Sequence, residues 1–276
     1  MYKIKLFEMA NDVPPTYYDV QSITKAALGL VYAKEGVDTS APLWPAWKDS
    51  DLTLQDALDH HAGMHDDDGP FTFDYNAFRG AVGKDATAYA EKHLRQRQRC
   101  KGEFGYSNLA WQLLAYRFGE VAGKTPDKAL ADLIGRGGWM WEPDAKGTCL
   151  GPHGLSMTKA AAKRLGAAAR EQFKEADFVQ ETPISFWSFA NIEAVRYVHN
   201  GWFAYKKPYF TMYATGFLAQ YIVVRGEEVH LQLRAKEPIC EGNPYFDFDK
   251  VTDEENAFLK SLVQSSTLAL TGWRVT

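Results

Sequence analysis

The hydrophobic period of the chain changes once along its length, and that change limits what it can fold into. From about residue 51 to 170 apolar residues recur at helical spacing in LTLQDALDHHAG, NLAWQLLAYRFGEVAG and TPDKALADLIG. In the last of these Thr125 stands as an N-cap, Pro126 at the first helical position and Asp127 beside the positive helix end. Towards the C-terminus the period becomes two. MYATGFLAQYIVV is one long β-prone run, RGEE a turn, and VHLQLRA alternates Val229, Leu231 and Leu233 with polar residues, which predicts an antiparallel hairpin. TDEENAFLKSLVQSS opens on a capping box of Thr252 and Glu255 and carries Phe258, Leu259, Leu262 and Val263 as a stripe to lay on that sheet. Near the start, YKIKLF reads as a short strand. The expected class is α/β (α+β): an antiparallel sheet from about 1–20 and 195–276, flanked by helices, with a mainly helical region from about 21–194. All of it fits one domain spanning 1–276.

Several function classes are disfavoured. A formal net charge of −4 gives nucleic acid no general attraction, and the basic run EKHLRQRQRCK (91–101) reads as a solvated helix face. Cys100, Cys149 and Cys240 show no CxxC spacing and cannot all pair within one chain, which suggests a reducing compartment. The N-terminus lacks the apolar core of a signal peptide and nowhere do 18 apolar residues run together, so no membrane partner and a cytoplasmic location are expected. His60, His61 and His65 beside Asp66, Asp67 and Asp68 invite a metal reading. Gly63 interrupts the helix that would align His61 with His65, and DDDG does not continue as a calcium loop, so a polar loop is the simpler account. No metal or organic cofactor is implied. The aromatic stretches FWSF and GWFAYKKPYF are expected to be core, with Trp187 and Trp202 the candidates for a cleft wall.

The chemistry-bearing pattern begins in VQSITKAALGL. Ile23, Ala26, Ala27, Leu30 and Val31 predict a helix ended by Gly36, and Ser22 occupies the N-cap position. Positions i and i+3 share a helix face, so the Lys25 amine can also lie beside the Ser22 hydroxyl and, once deprotonated, activate it. A serine nucleophile needs further parts. FGYSN places Tyr106 and Asn108 two apart before a helix, and YATGFLAQY offers Thr215 and Gly216 with backbone N–H groups beyond them. A second S-x-x-K, SMTK at 156–159, is expected by chance in a chain this long, and Ser156 or Thr158 reads as a helix cap.

In these segments the chain resembles the serine β-lactamase and penicillin-binding-protein superfamily, in particular its class C-like branch of esterases, amide hydrolases and DD-peptidases. VQSITKAALGL is similar to the nucleophile helix. LTLQDALDHHAGM is similar to the LLTHTSG segment, with Ala62 for its serine. FGYSNLAWQLLAYRFGEVAGK is similar to the Tyr-x-Asn loop and following helix, and GPHGLSMTKAAAKRLG to GGLSMTARDLAKLG. The resemblance spans roughly residues 17–235 in the family's order. It implies a β-lactamase/transpeptidase-like fold in which Ser22 attacks a carbonyl, Lys25 and Tyr106 share the proton work, and Asn108 orients the lysine and the substrate amide. The backbone N–H groups of Ser22 and Phe217 then form the oxyanion hole. Because Ser156 follows the Tyr-x-Asn segment, it is not in the nucleophile's place.

Two departures from the family pattern carry expectations of their own. The stretch before Ser22 is shorter than the family's N-terminal helix and two strands, so the sheet lacks those strands or borrows them from a partner in a homo-oligomer. The third motif reads Ala214-Thr215-Gly216 where relatives have Lys-Thr-Gly or His-x-Gly, which removes a cation. The resemblance implies hydrolysis of a small, uncharged ester or amide, with β-lactamase or DD-peptidase activity and a catalytically silent scaffold as the alternatives. Ala214→Lys is expected to improve acylation by carboxylate-bearing β-lactams.

Overall fold

Helix α1 (Ile23–Glu35) is largely apolar, and its residues from Ile23 to Tyr32 are all buried, Thr24 and Lys25 included. Such a helix belongs inside the molecule rather than on its surface. In the computed structural model, which describes residues 16–47, 50–64, 75–95, 101–180, 196–206, 209–216 and 220–233, α1 is the central element. It ends at Gly36, whose φ of 61° is the left-handed conformation that glycine adopts without steric cost.

Around α1 stand short α2 (Leu54–Leu58), α3 (Tyr75–Val82), α4 (Ala86–Arg95), α5 (Asn108–Ala122), α6 (Pro126–Ile134) and α7 (Lys159–Gln172). Thr53 and Asp56 form a reciprocal capping box on α2. Pro126 begins α6 as expected; Thr125 holds the cap position, but its side chain makes no cap hydrogen bond. Of the two residues expected to cap α7, Thr158 does so, accepting from Ala161 N at 3.3 Å, whereas Ser156 lies in a strand. Among the described residues no helix is long and apolar enough to cross a membrane.

The main sheet is an antiparallel meander in chain order: β4 (Val179–Gln180), β5 (Arg196–His199), β6 (Trp202–Tyr205), β7 (Thr211–Gly216), β8 (Gln220–Arg225) and β9 (Glu228–Gln232). The long run MYATGFLAQYIVV is therefore two strands rather than one, folding back so that Gly216 pairs with Gln220 and Thr211 with Arg225. The β8–β9 hairpin forms as expected, with Arg225 opposite Glu228 across a turn begun by Gly226 at φ 55°. Trp202, Ala204, Met212, Ala214, Ile222 and Val224 alternate into the core shared with the helices. Helix α7 comes so close that a Cβ on Gly166 would stand 2.5 Å from Val229 and 3.0 Å from Ile222.

A second, three-stranded antiparallel sheet has the order β1 (Tyr18–Asp19), β3 (Leu155–Met157), β2 (Trp139–Trp141). Residues 18 and 19 thus join this small sheet and not the large one, and strands occur inside the region expected to be mainly helical. Large-sheet pairing begins at Val179, before the expected boundary near 195. The expected strand in YKIKLF and the helix capped by Thr252 and Glu255 lie outside the described residues.

One turn ties sheet to helices. Asn200 and Gly201, at φ 48° and 75°, join β5 to β6, with His199 opposite Trp202; two consecutive positive φ values suit a two-residue hairpin. Asn200 N donates to Asp59 Oδ1 at 2.8 Å and Gly201 N to Leu58 O at 2.9 Å. The turn seats against α1 because Gly29 lacks a side chain: a Cβ there would stand 1.9 Å from Asn200 O.

Candidate active site

Ser22 holds the N-cap position of α1, yet its backbone is helical (φ −65°, ψ −9°) and its side chain makes no cap hydrogen bond. The hydroxyl is instead shared with two other side chains. Lys25 Nζ lies 3.0 Å from Ser22 Oγ, and Tyr106 OH donates to the same oxygen at 2.8 Å. Lys25 is 2 % exposed and donates also to Asn108 Oδ1 at 2.7 Å and Pro152 O at 2.9 Å. Four residues singled out from the sequence, Ser22, Lys25, Tyr106 and Asn108, are therefore brought together by α1 and the start of α5. Asn108 is the first helical residue of α5, with Ser107 as its cap, rather than part of the preceding loop.

The turn leading into Ser22 is strained. Gln21 has φ 51°, a left-handed conformation costing a non-glycine residue roughly 1–2 kcal/mol. Asp19 offsets part of that cost by accepting from Gln21 N at 3.1 Å and from Gln21 Nε2 at 2.8 Å. Thr24 Oγ1 donates to Gln21 O at 2.7 Å and accepts from Leu155 N at 3.2 Å, fixing the turn to the small sheet. The N–H groups of Gln21, Ile23, Thr24 and Lys25 are all used within this turn, and among the described residues none accepts from the Ser22 N–H. The end of β7 abuts the same turn: a Cβ on Gly216 would stand 2.3 Å from Val20 O. Thr215, half-buried, precedes it opposite Tyr221. Phe217 lies outside the described residues.

Asp19, Gln21, Thr24 and Pro152 are site neighbours that no sequence pattern marked, and His60 is a fifth, expected in a polar loop. His60 departs furthest from expectation. Instead of joining a polar loop it is 2 % exposed, with its ring stacked on Tyr106 at 5.0 Å and 13°. Burial first, and then the neighbouring Lys25 charge, hold His60 well below the ordinary imidazole range, so the ring is neutral at pH 7. Among the described residues no group of three or more His, Cys, Asp or Glu side chains could hold a metal ion; His65 and Asp66 to Asp68 lie outside them. Trp202 is core, fully buried with Nε1 donating to Ala26 O at 2.9 Å, whereas Trp187 is not among the described residues.

Ala214 corrects one expectation. Its side chain is fully buried in the apolar core and pairs across to Ile222, which faces α7. A lysine there would enter the core as an uncompensated charge, so Ala214→Lys is expected to destabilise the protein by about 3–5 kcal/mol rather than improve β-lactam acylation. Thermal denaturation measures this; an unchanged Tm with faster acylation would show that position 214 reaches the cleft.

The sequence model of the Beta-lactamase family matches residues 14–185, more than half of the chain. The chain belongs to the beta-lactamase family. Solved structures of similar fold include a Bacillus anthracis protein assigned as a 6-aminohexanoate-dimer hydrolase (15% identity, TM-score 0.59, covering 91% of this chain and 75% of that one). A β-lactamase/D-alanine carboxypeptidase from Yersinia pestis is similar to the same degree (17% identity, TM-score 0.59, 91% and 86% covered). A D-stereospecific amidohydrolase from Streptomyces is also similar (15% identity, TM-score 0.54, 77% and 79% covered). No curated protein sequence gives a significant match. At these identities the likeness is one of fold, and the antiparallel sheet flanked by helices is the β-lactamase/transpeptidase-like architecture.

Proposed function

We propose that this family member is a serine hydrolase that cleaves a small ester or amide through an acyl-enzyme on Ser22. The observation that carries the reading is the Ser22 hydroxyl, withdrawn from helix capping and held by both Lys25 and Tyr106. In the neutral form of Lys25 two N–H bonds stay on Asn108 Oδ1 and Pro152 O, both acceptors, which leaves the amine lone pair for Ser22. The serine proton moves to Lys25, directly or through Tyr106, as Oγ bonds to the carbonyl carbon. Collapse of the tetrahedral intermediate breaks the bond to the leaving group, which takes a proton from Tyr106 or Lys25. Water then adds to the acyl-enzyme, giving its proton back to the same pair and releasing Ser22. The Ser22 N–H, unengaged among the described residues, supports an oxyanion site beside the end of β7, and the family resemblance implies the N–H of Phe217 as its second donor.

Among similar structures, the names amidohydrolase and dimer hydrolase support hydrolysis over a silent scaffold. The test is intact-protein mass after exposure to a fluorophosphonate and to a penicillin, together with kcat/KM for p-nitrophenyl esters and for nitrocefin. We expect a fluorophosphonate adduct on Ser22 and faster turnover of the esters. Higher kcat/KM for nitrocefin would establish the β-lactamase alternative, and no adduct with no turnover would leave a silent scaffold.

A further inference from the structure

Three rings form a column behind the serine, with a basic side chain at each end. Lys25 Nζ stands 4.8 Å from the Tyr106 ring centroid. The rings of Tyr106 and His60 are 5.0 Å and 13° apart, and those of His60 and Phe203 are 6.1 Å and 7° apart. The Arg196 guanidinium closes the far end, 4.7 Å from the Phe203 centroid. We infer that His60 is a positioning residue for Tyr106: clamped between Tyr106 and Phe203, its ring fixes the direction in which the phenol points at Ser22. This rests on the reading above only in giving Tyr106 part of the proton transfer.

The backbone around His60 is built to hold the ring in place. His60 has φ 57°, a conformation in which histidine is better tolerated than most side chains. The segment after it is laced to the segment before Tyr106, with Gly105 N donating to His60 O at 2.7 Å, Gly102 N to His61 O at 2.8 Å and Gly63 N to Glu103 O at 2.9 Å. The two segments approach so closely that a Cβ on Gly105 would stand 2.6 Å from Met64 N. Phe104 and Trp111 lean on the same imidazole at 5.7 Å and 5.5 Å, so the ring has little room to leave the column.

The column also accounts for a neutral ring at this position. Lys25, His61 and Arg196 all oppose a charge on His60, and burial opposes it more strongly still. A neutral planar ring can stack on one face of the phenol and add no charge beside the Lys25 amine, which must accept the serine proton. Phenol aim matters because the Tyr106 OH reaches Ser22 Oγ from the end of a long lever, and small misplacements of a proton-transfer group are costly.

The test places 3-fluorotyrosine at position 106 of the full chain and reads its 19F spectrum, alongside ester hydrolysis by His60→Asn and His60→Phe. A clamped ring gives separate signals for its two flip states in the otherwise unaltered protein, and one averaged signal there would overturn the inference. His60→Asn, which tolerates the left-handed backbone but removes the ring, should merge the signals and lower kcat about 10- to 100-fold with KM changed less than about two-fold. His60→Phe, which keeps a ring but strains the left-handed backbone, should lower Tm yet recover the separate signals and part of kcat. In a Tyr106→Phe background, His60→Asn should change kcat less than about two-fold, and an equal loss in both backgrounds would mean that His60 does not act through Tyr106. If the protein bearing tyrosine at 106 never labels with fluorophosphonate, the hydrolase reading fails while the 19F signals still decide whether the ring is clamped.

Discussion

Ser22→Ala is expected to abolish turnover of activated esters and labelling by a fluorophosphonate, while Ser156→Ala leaves both nearly intact. The two serines both begin an S-x-x-K, so the comparison separates motif from geometry. Lys25 Nζ lies 3.0 Å from Ser22 Oγ, at the head of a buried helix. Ser156 is a middle residue of β3, opposite Asp19 and Met140, and its apparent motif lysine, Lys159, sits over the ring of Tyr18 instead. Losing the hydroxyl at 22 removes the atom proposed to form the covalent bond, and the expected residual rate is that of the empty cleft. Equal losses in both variants, or full activity in Ser22→Ala, would overturn the assignment. Circular dichroism of each variant separates lost chemistry from lost fold.

Tyr106→Phe is expected to lower kcat by roughly 10²- to 10⁴-fold, the range for loss of a general acid–base group, with little change in Tm. The substitution removes the hydroxyl that donates to Ser22 Oγ at 2.8 Å and keeps the ring that packs on His60. Single-turnover acylation with a p-nitrophenyl ester measures it directly. An unchanged rate would make Tyr106 a packing residue and leave Lys25 as the only base.

The parts of the site legible in the sequence were those whose spacing is set by one helix or one short segment. Ser22 and Lys25 are neighbours because i and i+3 share a face, and Tyr106 and Asn108 flank a helix start. A cap at Ser156 or Thr158 was legible for the same local reason, and the structure selects Thr158. The supporting groups were illegible because they arrive from afar or through conformations that composition does not report. Pro152 contributes only a carbonyl, Gln21 only a positive φ, and His60 owes its burial to a segment some forty residues further along. Strands of two or three residues such as β1, β2 and β3 are too short to display a period. The β7–β8 fold-back was hidden because both strands are apolar, so their junction leaves the hydrophobic run unbroken. Asn200-Gly201 is the exception: an Asn-Gly pair between β-prone runs is a strong hairpin signal, and the turn it forms joins β5 to β6.

That Asn-Gly turn also bears on the order in which the protein is made. The Ser22–Lys25 pair can come together as soon as a few turns of α1 exist, but the lysine's remaining contacts close chain separations of 83 and 127 residues. The turn that seats against Gly29 and bonds to Asp59 closes one of 141. A growing chain must therefore emerge past residue 201 before α1 has its sheet-side neighbour, and until then the hydroxyl and amine lack the enclosure that orients them. Closure of such distant contacts is slow, and the contacts are stable only together. If Ser22 is the nucleophile proposed above, its reactivity reports completion of the whole fold, and a truncated or stalled chain carries the motif without the enclosure.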